Sequence, residues 1–201
     1  MQVPEQVTGK QSDNAASREM PDINSATGLY EEAKNRLLFI DKWKNFAGFE
    51  SAVFTLHDAK GNDVNRQANV GDLIRIDIPG PGTTAGRGYD WVEIKNLQEK
   101  KDEVSDMLMM TVSPAADPNS DKSDTAHFFD PAATSTFIVK RFSNCVEASV
   151  HGRNEKPNNH TDSTIDNIRN SLVATGAFGG FADIQWQNLT KGLLDQAAEA
   201  Q

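Results

Sequence analysis

Between Thr134 and His151 apolar and polar residues alternate on both sides of a two-residue break at Ser143-Asn144, and this pattern leaves the fold very little freedom. With Ser143 and Asn144 as the turn, Phe142 stands opposite Cys145, Lys140 opposite Glu147, Phe137 opposite Val150 and Thr136 opposite His151. Phe137, Val139, Ala148 and Val150 then share one face. Thr134, Thr136, Lys140, Glu147, Ser149, His151 and Arg153 share the other. A slip of one residue would turn the whole apolar set toward water, so the register is strongly specified. The chain must therefore build an antiparallel sheet with one buried face, and other elements must cover that face.

Ile74, Ile76 and Ile78 repeat the pattern, with Arg75 and Asp77 on the opposite side. The strand then runs into a proline- and glycine-rich stretch, residues 79–88. Prolines lack the N–H that a ladder needs and glycines accept positive φ, so regular pairing stops there and resumes at Tyr89-Asp90-Trp91. Gly80-x-Gly82-x-x-Ala85 resembles a dinucleotide-binding fingerprint in spacing alone. That fingerprint works by aiming a helix N-terminus at a pyrophosphate, and here a strand follows. No phosphate-loop spacing occurs either. The stretch reads as a long strand connection or as a binding loop carried on a rigid sheet.

Residues 1–24 are polar and nearly free of aliphatic side chains, which predicts a flexible tail ahead of one α+β domain over residues 25–201. Leu29, Ala33, Leu37, Ile40 and Trp43 recur at helical spacing and predict an amphipathic helix ending near Gly48. Residues 50–57 alternate as a strand, with Ala52, Phe54 and Leu56 on one side, and turns follow at 58–63 and 69–72. Further strands are expected from Trp91 to about Leu97 and from Met107 to Val112, followed by a polar loop over 113–125. Ile165, Ile168 and Leu172 mark a helix starting at Asp162 or Ser163 and stopping at Gly176. A second helix starts near Asp183 with Trp186, Leu189, Leu193 and Leu194 turned inward. The expected architecture is α+β: an antiparallel sheet of about six strands, with an N-terminal helix and a two-piece C-terminal helical segment on one side. Strands followed by a long C-terminal helix resemble, in topology only, the helix-grip architecture of small-ligand binders.

Charge narrows the partners. The 201 residues carry 20 Lys and Arg against 29 Asp and Glu, a formal net charge of -9. Such a chain is a poor match for a nucleic-acid backbone, and any anionic ligand must find a local basic site. Cys145 is the single cysteine, which rules out an intramolecular disulfide and a cysteine-based zinc site. The first residues contain no apolar signal core and no run reaches the roughly 18 apolar residues of a membrane span, so a cytoplasmic location is expected. No motif calls for a cofactor.

Three polar segments carry candidate chemistry. The first contributes Arg87, Tyr89, Asp90 and Trp91; the second His127 and Asp130, flanking Phe128 and Phe129; the third His151, Arg153 and Glu155. His151, Glu155 and His160 are types that ligate metals, but Gly152 and Pro157 disfavour the helix that would bring them together. Cys145 and His151 lie six strand residues apart, about 20 Å, too far for a nucleophile and its base. Each segment sits at a strand end, and their meeting would form a patch rich in residue types used for recognition and catalysis. The expectation is a non-catalytic binding or protein-interaction domain, an adaptor in a larger assembly or a receptor for a small polar ligand. The alternative is a metal-independent enzyme, with His151 or His127 as general base, Glu155 or Asp90 as its partner, and Arg87 or Arg153 as an anion clamp.

Overall fold

The computed structural model describes residues 2–48, 52–78, 83, 85–120, 124–159 and 179–195. In chain order these form β1 (Lys10–Glu19), α1 (Ile23–Leu38), a 3-10 turn (Ile40–Lys42), α2 (Trp43–Ala47), β2 (Val53–His57), β3 (Leu73–Asp77), β4 (Asp90–Lys101), β5 (Ser105–Pro114), β6 (Thr134–Phe142), β7 (Cys145–Glu155) and α3 (Gly179–Leu193). The strands make one sheet in the order β1-β7-β6-β5-β4-β3-β2, antiparallel at every step.

The sheet has seven strands rather than about six, and the additional one is β1, which lies inside the stretch read as a flexible tail. Its residues carry no apolar stripe. Order comes instead from pairing with β7, in a register that sets Asp13 opposite His151 and Ala16 opposite Ala148. Asn14 is buried and Ala16 packs on the core. The hairpin forms in the register described above, from Phe142 opposite Cys145 to Thr136 opposite His151, with Ser143 at φ 53 in its turn.

The expected single N-terminal helix is broken. Asp22 caps α1 by accepting from the Ser25 N–H at 2.8 Å, and the helix ends at Phe39, whose φ of -92 and ψ of 79 leave the helical region. The break frees the Leu37 carbonyl, which in a continuous helix would accept from residue 41; the Trp43 indole donates to it instead, at 3.0 Å. That bond fixes Trp43 at 1% exposure, within 6.5 Å centroid to centroid of Phe54, Phe137 and Trp186. Such ring pairs contribute about 0.5–1.5 kcal/mol each beyond their buried area. The cluster fills the space between sheet and helices. Leu189, Leu193 and Leu194 of the α3 region are buried there; the helix read at 162–176 lies outside the described residues.

A bulge between Ile94 and Asn96 lets Ile94 and Leu97 both face the helices, opposite Val112 and Met110. On the other face residues 85–89 and the segment after β5 pack on the sheet. A small second cluster forms there from Leu73, Trp91 and Ala126, with Ala85, Tyr89 and Ala115 against it. Main-chain bonds hold those loops in place: Trp91 N–H to the Ala126 carbonyl at 2.7 Å, and Ala115 N–H to the Trp91 carbonyl at 2.9 Å. No described helix is long and apolar enough to cross a membrane.

Candidate functional site

Because Ile74 and Ile76 face the helices, Arg75 must face the opposite side, and the register sets Thr55 and Trp91 beside it on that face. Over this row lies a cleft of about 440 Å³, lined by His57, Gly61, Asp63, Arg75, Arg87, Tyr89, Trp91 and Asn119. Arg87 and Tyr89 supply one wall. Gly86 comes so close to the Tyr89 carbonyl that a Cβ would sit 1.8 Å from its oxygen, so no other residue fits. Arg87 adopts φ 52, and its guanidinium forms a two-pronged pair with buried Asp117, Nε to Oδ2 at 2.7 Å and Nη2 to Oδ1 at 3.2 Å. Those hydrogen bonds, more than charge alone, hold the Arg87 pKa above its ordinary value.

Arg75 is held differently. Its guanidinium carbon lies 4.6 Å from the Tyr89 ring centroid, Nη2 donates to the Thr55 hydroxyl at 3.3 Å, and no ion pair engages it among the described residues. Its Nε and the Trp91 Nε1 are both buried without a hydrogen-bond acceptor among the described residues. Trp91 itself is 2% exposed, with the His57 ring edge-on at 4.9 Å. His57 directs Nδ1 to the Gly61 carbonyl at 3.0 Å. Its Nε2 lies 3.0 Å from an Asp63 carboxylate oxygen, off the direction of a hydrogen bond.

The second segment serves as a brace. Asp90, 1% exposed, accepts from the Phe128 N–H at 3.0 Å; His127 stacks on Phe128 at 4.2 Å and accepts through Nδ1 from the Phe129 N–H. Asp130 turns the chain by accepting from Ala132 N–H at 2.7 Å, and Asn158 ties this segment to the end of β7 by donating to the Thr125 and His127 carbonyls. These groups hold the loops in place.

His151, Arg153 and Glu155 lie along β7 against β1. Asp13 Oδ1 sits 2.5 Å from His151 Nδ1 and 2.7 Å from an Arg153 nitrogen, while His151 Nε2 sits 3.0 Å from the Ser149 Oγ. Burial raises the Asp13 pKa, but the Arg153 and His151 hydrogen bonds outweigh it and leave the carboxyl below its ordinary range. The spacing is that of a nucleophile, base and carboxylate relay. Ser149, however, is 4% exposed and its backbone lies between the β1 and β6 ladders, so no set of free N–H groups surrounds the hydroxyl. The row clasps β1 onto β7. Glu155 accepts from the Ser12 hydroxyl at 3.1 Å; burial first, and then the nearby Asp183 charge, push its pKa up. Among the described residues no hydrogen bond joins His151 to Glu155.

Of the candidates read from the sequence, the cleft gathers Arg87, Tyr89 and Trp91; Asp90, His127 and Asp130 brace its loops, and His151, Arg153 and Glu155 lie apart. His57, Arg75 and Asn119 were not foreseen. The available signal was Arg75 itself, a charged residue on the outward side of the strand that feeds the glycine loop.

No family model matches the chain, and no curated protein matches it. Among solved structures, a hypothetical protein of Helicobacter pylori superimposes with a TM-score of 0.53 at 9% identity, covering 93% of this chain and 87% of that one. A protein from Arthrobacter aurescens gives 0.40 at 9% identity, over 93% and 87% of the two chains. A truncated norcoclaurine synthase from Thalictrum flavum gives 0.34 at 11% identity, over 92% and 96%. What the chain has in common with the Helicobacter pylori protein is its fold.

Proposed function

We propose that this chain is a non-catalytic binding domain that takes a small polar ligand in the cleft over β2, β3 and β4. The observation that carries this reading is Arg75 in the cleft lining, a half-buried guanidinium stacked on Tyr89 that makes no ion pair among the described residues. Withdrawing a charge from water without a counter-charge is costly, and a polar ligand in the cleft offsets that cost. The site is concave, and its lining of His57, Asp63, Arg75, Arg87 and Asn119 beside Tyr89 and Trp91 is more polar than that of most small-molecule sites, which suits a polar ligand. On the opposite face of the sheet, Trp43, Phe54, Phe137 and Trp186 fill the space beneath the helices.

The test uses the three tryptophan indole N–H signals of the ¹⁵N-labelled full chain, with Trp91 assigned through Trp91→Phe. Small aromatic fragments that are neutral, anionic or cationic are titrated in. Some are expected to move the Trp91 signal while Trp43 and Trp186 stay still, and Tyr89→Ala is expected to weaken those at least tenfold. A set in which no fragment moves Trp91 would sink the reading.

A further inference from the structure

Two strands end the sheet, and they are finished differently. β2 has five residues and its outward groups are taken: the Leu56 N–H by Asp41 Oδ1 at 3.1 Å and the Leu56 carbonyl by the Val64 N–H at 3.1 Å, while the Ala52 N–H just before it goes to Gln185 Oε1 at 2.8 Å. β1, at the other end, has ten residues and no proline. Which of its main-chain groups point outward follows from the hairpin. A two-residue turn makes Phe142 and Cys145 a hydrogen-bonded pair, so the odd-numbered residues of β7 bond to β6 and the even-numbered ones to β1. Val146, Ala148, Val150 and Gly152 stand opposite Arg18, Ala16, Asn14 and Ser12. Asp13, Ala15, Ser17 and Glu19 therefore direct their N–H and C=O groups away from the sheet. All four residues are exposed, and among the described residues no hydrogen bond engages those groups. A row of this kind is a template for another strand.

We infer that the strand it receives is β1 of a second copy of this chain, paired antiparallel about a twofold axis at Ala15. Such an axis, perpendicular to the sheet, keeps the helices of both copies on one side and makes the contact self-complementary. The charges select the register. Centred on Asp13, the contact would set that carboxylate against its own copy; centred on Asn14, Lys10 against Arg18; centred on Ala16, Asp13 against Glu19. Axes nearer either end of β1 shorten the ladder. Centred on Ala15, no like charges are opposed: Gln11 meets Glu19, Ser17 meets Asp13, and two alanines meet at the axis. Gln11 and Ser17 bring donors to the acceptors of Glu19 and Asp13, and symmetry makes each pair twice. Asp13 is already held by His151 and Arg153, so its carboxylate is fixed before the copies meet.

The test is sedimentation velocity of the full chain over a concentration series, in which a dimer that grows with concentration is expected. Ala15→Lys leaves the β7 ladder intact and opposes two ammonium groups at the axis, so it is expected to weaken the dimer by about tenfold or more. An unchanged melting temperature and circular dichroism spectrum report that the variant has folded. Cysteine substitution reads the register independently. In a chain carrying Cys145→Ser, Ala15→Cys is expected to form a disulfide-linked dimer under mild oxidation. Ser17→Cys is not, because in this register it lies about 13 Å from its own copy. A chain that stays monomeric at every concentration would overturn the inference and leave the β1 edge to a strand of another protein. A dimer that survives Ala15→Lys, or that cross-links through Ser17→Cys in preference to Ala15→Cys, would overturn it in favour of another interface.

Discussion

Single side chains set where this molecule is stable and where it is incomplete. Arg36 is the stabilising extreme: it is buried beneath α3 and donates to the carbonyls of Leu193 at 3.1 Å and Asp195 at 2.5 Å, closing the end of a helix whose last carbonyls lack intrahelical partners. Glu155 is the opposite case. Its carboxyl is pushed above its ordinary pKa by burial and then by the Asp183 charge, so between the ordinary and the raised pKa the folded chain keeps a proton that the unfolded chain releases. Below the ordinary glutamate pKa both states are protonated and the residue is neutral in its effect. As pH rises through the window between the ordinary and the raised value, the unfolded state ionises first and stability falls. Glu155→Gln removes that loss while keeping an oxygen for the Ser12 hydroxyl. The variant is expected to melt higher than the parent at pH 7 and equally at pH 4, as read by thermal unfolding at the two pH values. A lower melting temperature at pH 7 would mean that the ionised carboxylate is needed where it stands.

Elements differ in how much of themselves they write into the sequence. The β6–β7 hairpin is legible because its two faces differ in polarity and its turn is short, so a single register satisfies both. β1 is illegible for the same reason inverted: Lys10–Glu19 has no polarity pattern, and its position is set by a partner more than a hundred residues later. Side chains such as Asp13 and Asn14 acquire their roles only once His151, Arg153 and Asp183 are beside them. The site divides along the same line. Arg87, Tyr89 and Trp91 stand out because they punctuate a glycine loop, whereas His57 and Arg75 sit in short strands whose apolar side draws the eye. If β1 is a structural strand, a chain lacking residues 1–19 leaves the outer edge of β7 unpaired. That chain is expected to lose about 3 kcal/mol or more, at roughly 0.5–1.5 per ladder bond, and to associate through the bare edge. Denaturant unfolding and light scattering read both effects. A truncated chain that is monomeric and as stable as the parent would contradict the role given to β1.

At the scale of the whole molecule, the two faces of one sheet are built differently, and if the cleft binds a ligand as proposed, their separation makes stability and binding independently adjustable. Helices and the Trp43 cluster cover one face, and the cleft opens on the other. Trp43→Ala removes the ring around which Phe54, Phe137 and Trp186 are packed, at a cost of about 3–5 kcal/mol, a large part of an ordinary domain's stability. Trp91→Phe acts in the other direction. Phenylalanine keeps most of the packing against Leu73 and Ala126 and deletes the buried N–H that has no partner in the described chain. Removing an unsatisfied donor recovers part of its penalty of about 1–3 kcal/mol, which offsets the smaller ring. The variant should be as stable as the parent or up to about 2 kcal/mol more so. Guanidinium unfolding followed by circular dichroism decides it. A loss of more than about 2 kcal/mol in Trp91→Phe would show that the indole N–H is already satisfied in the free protein.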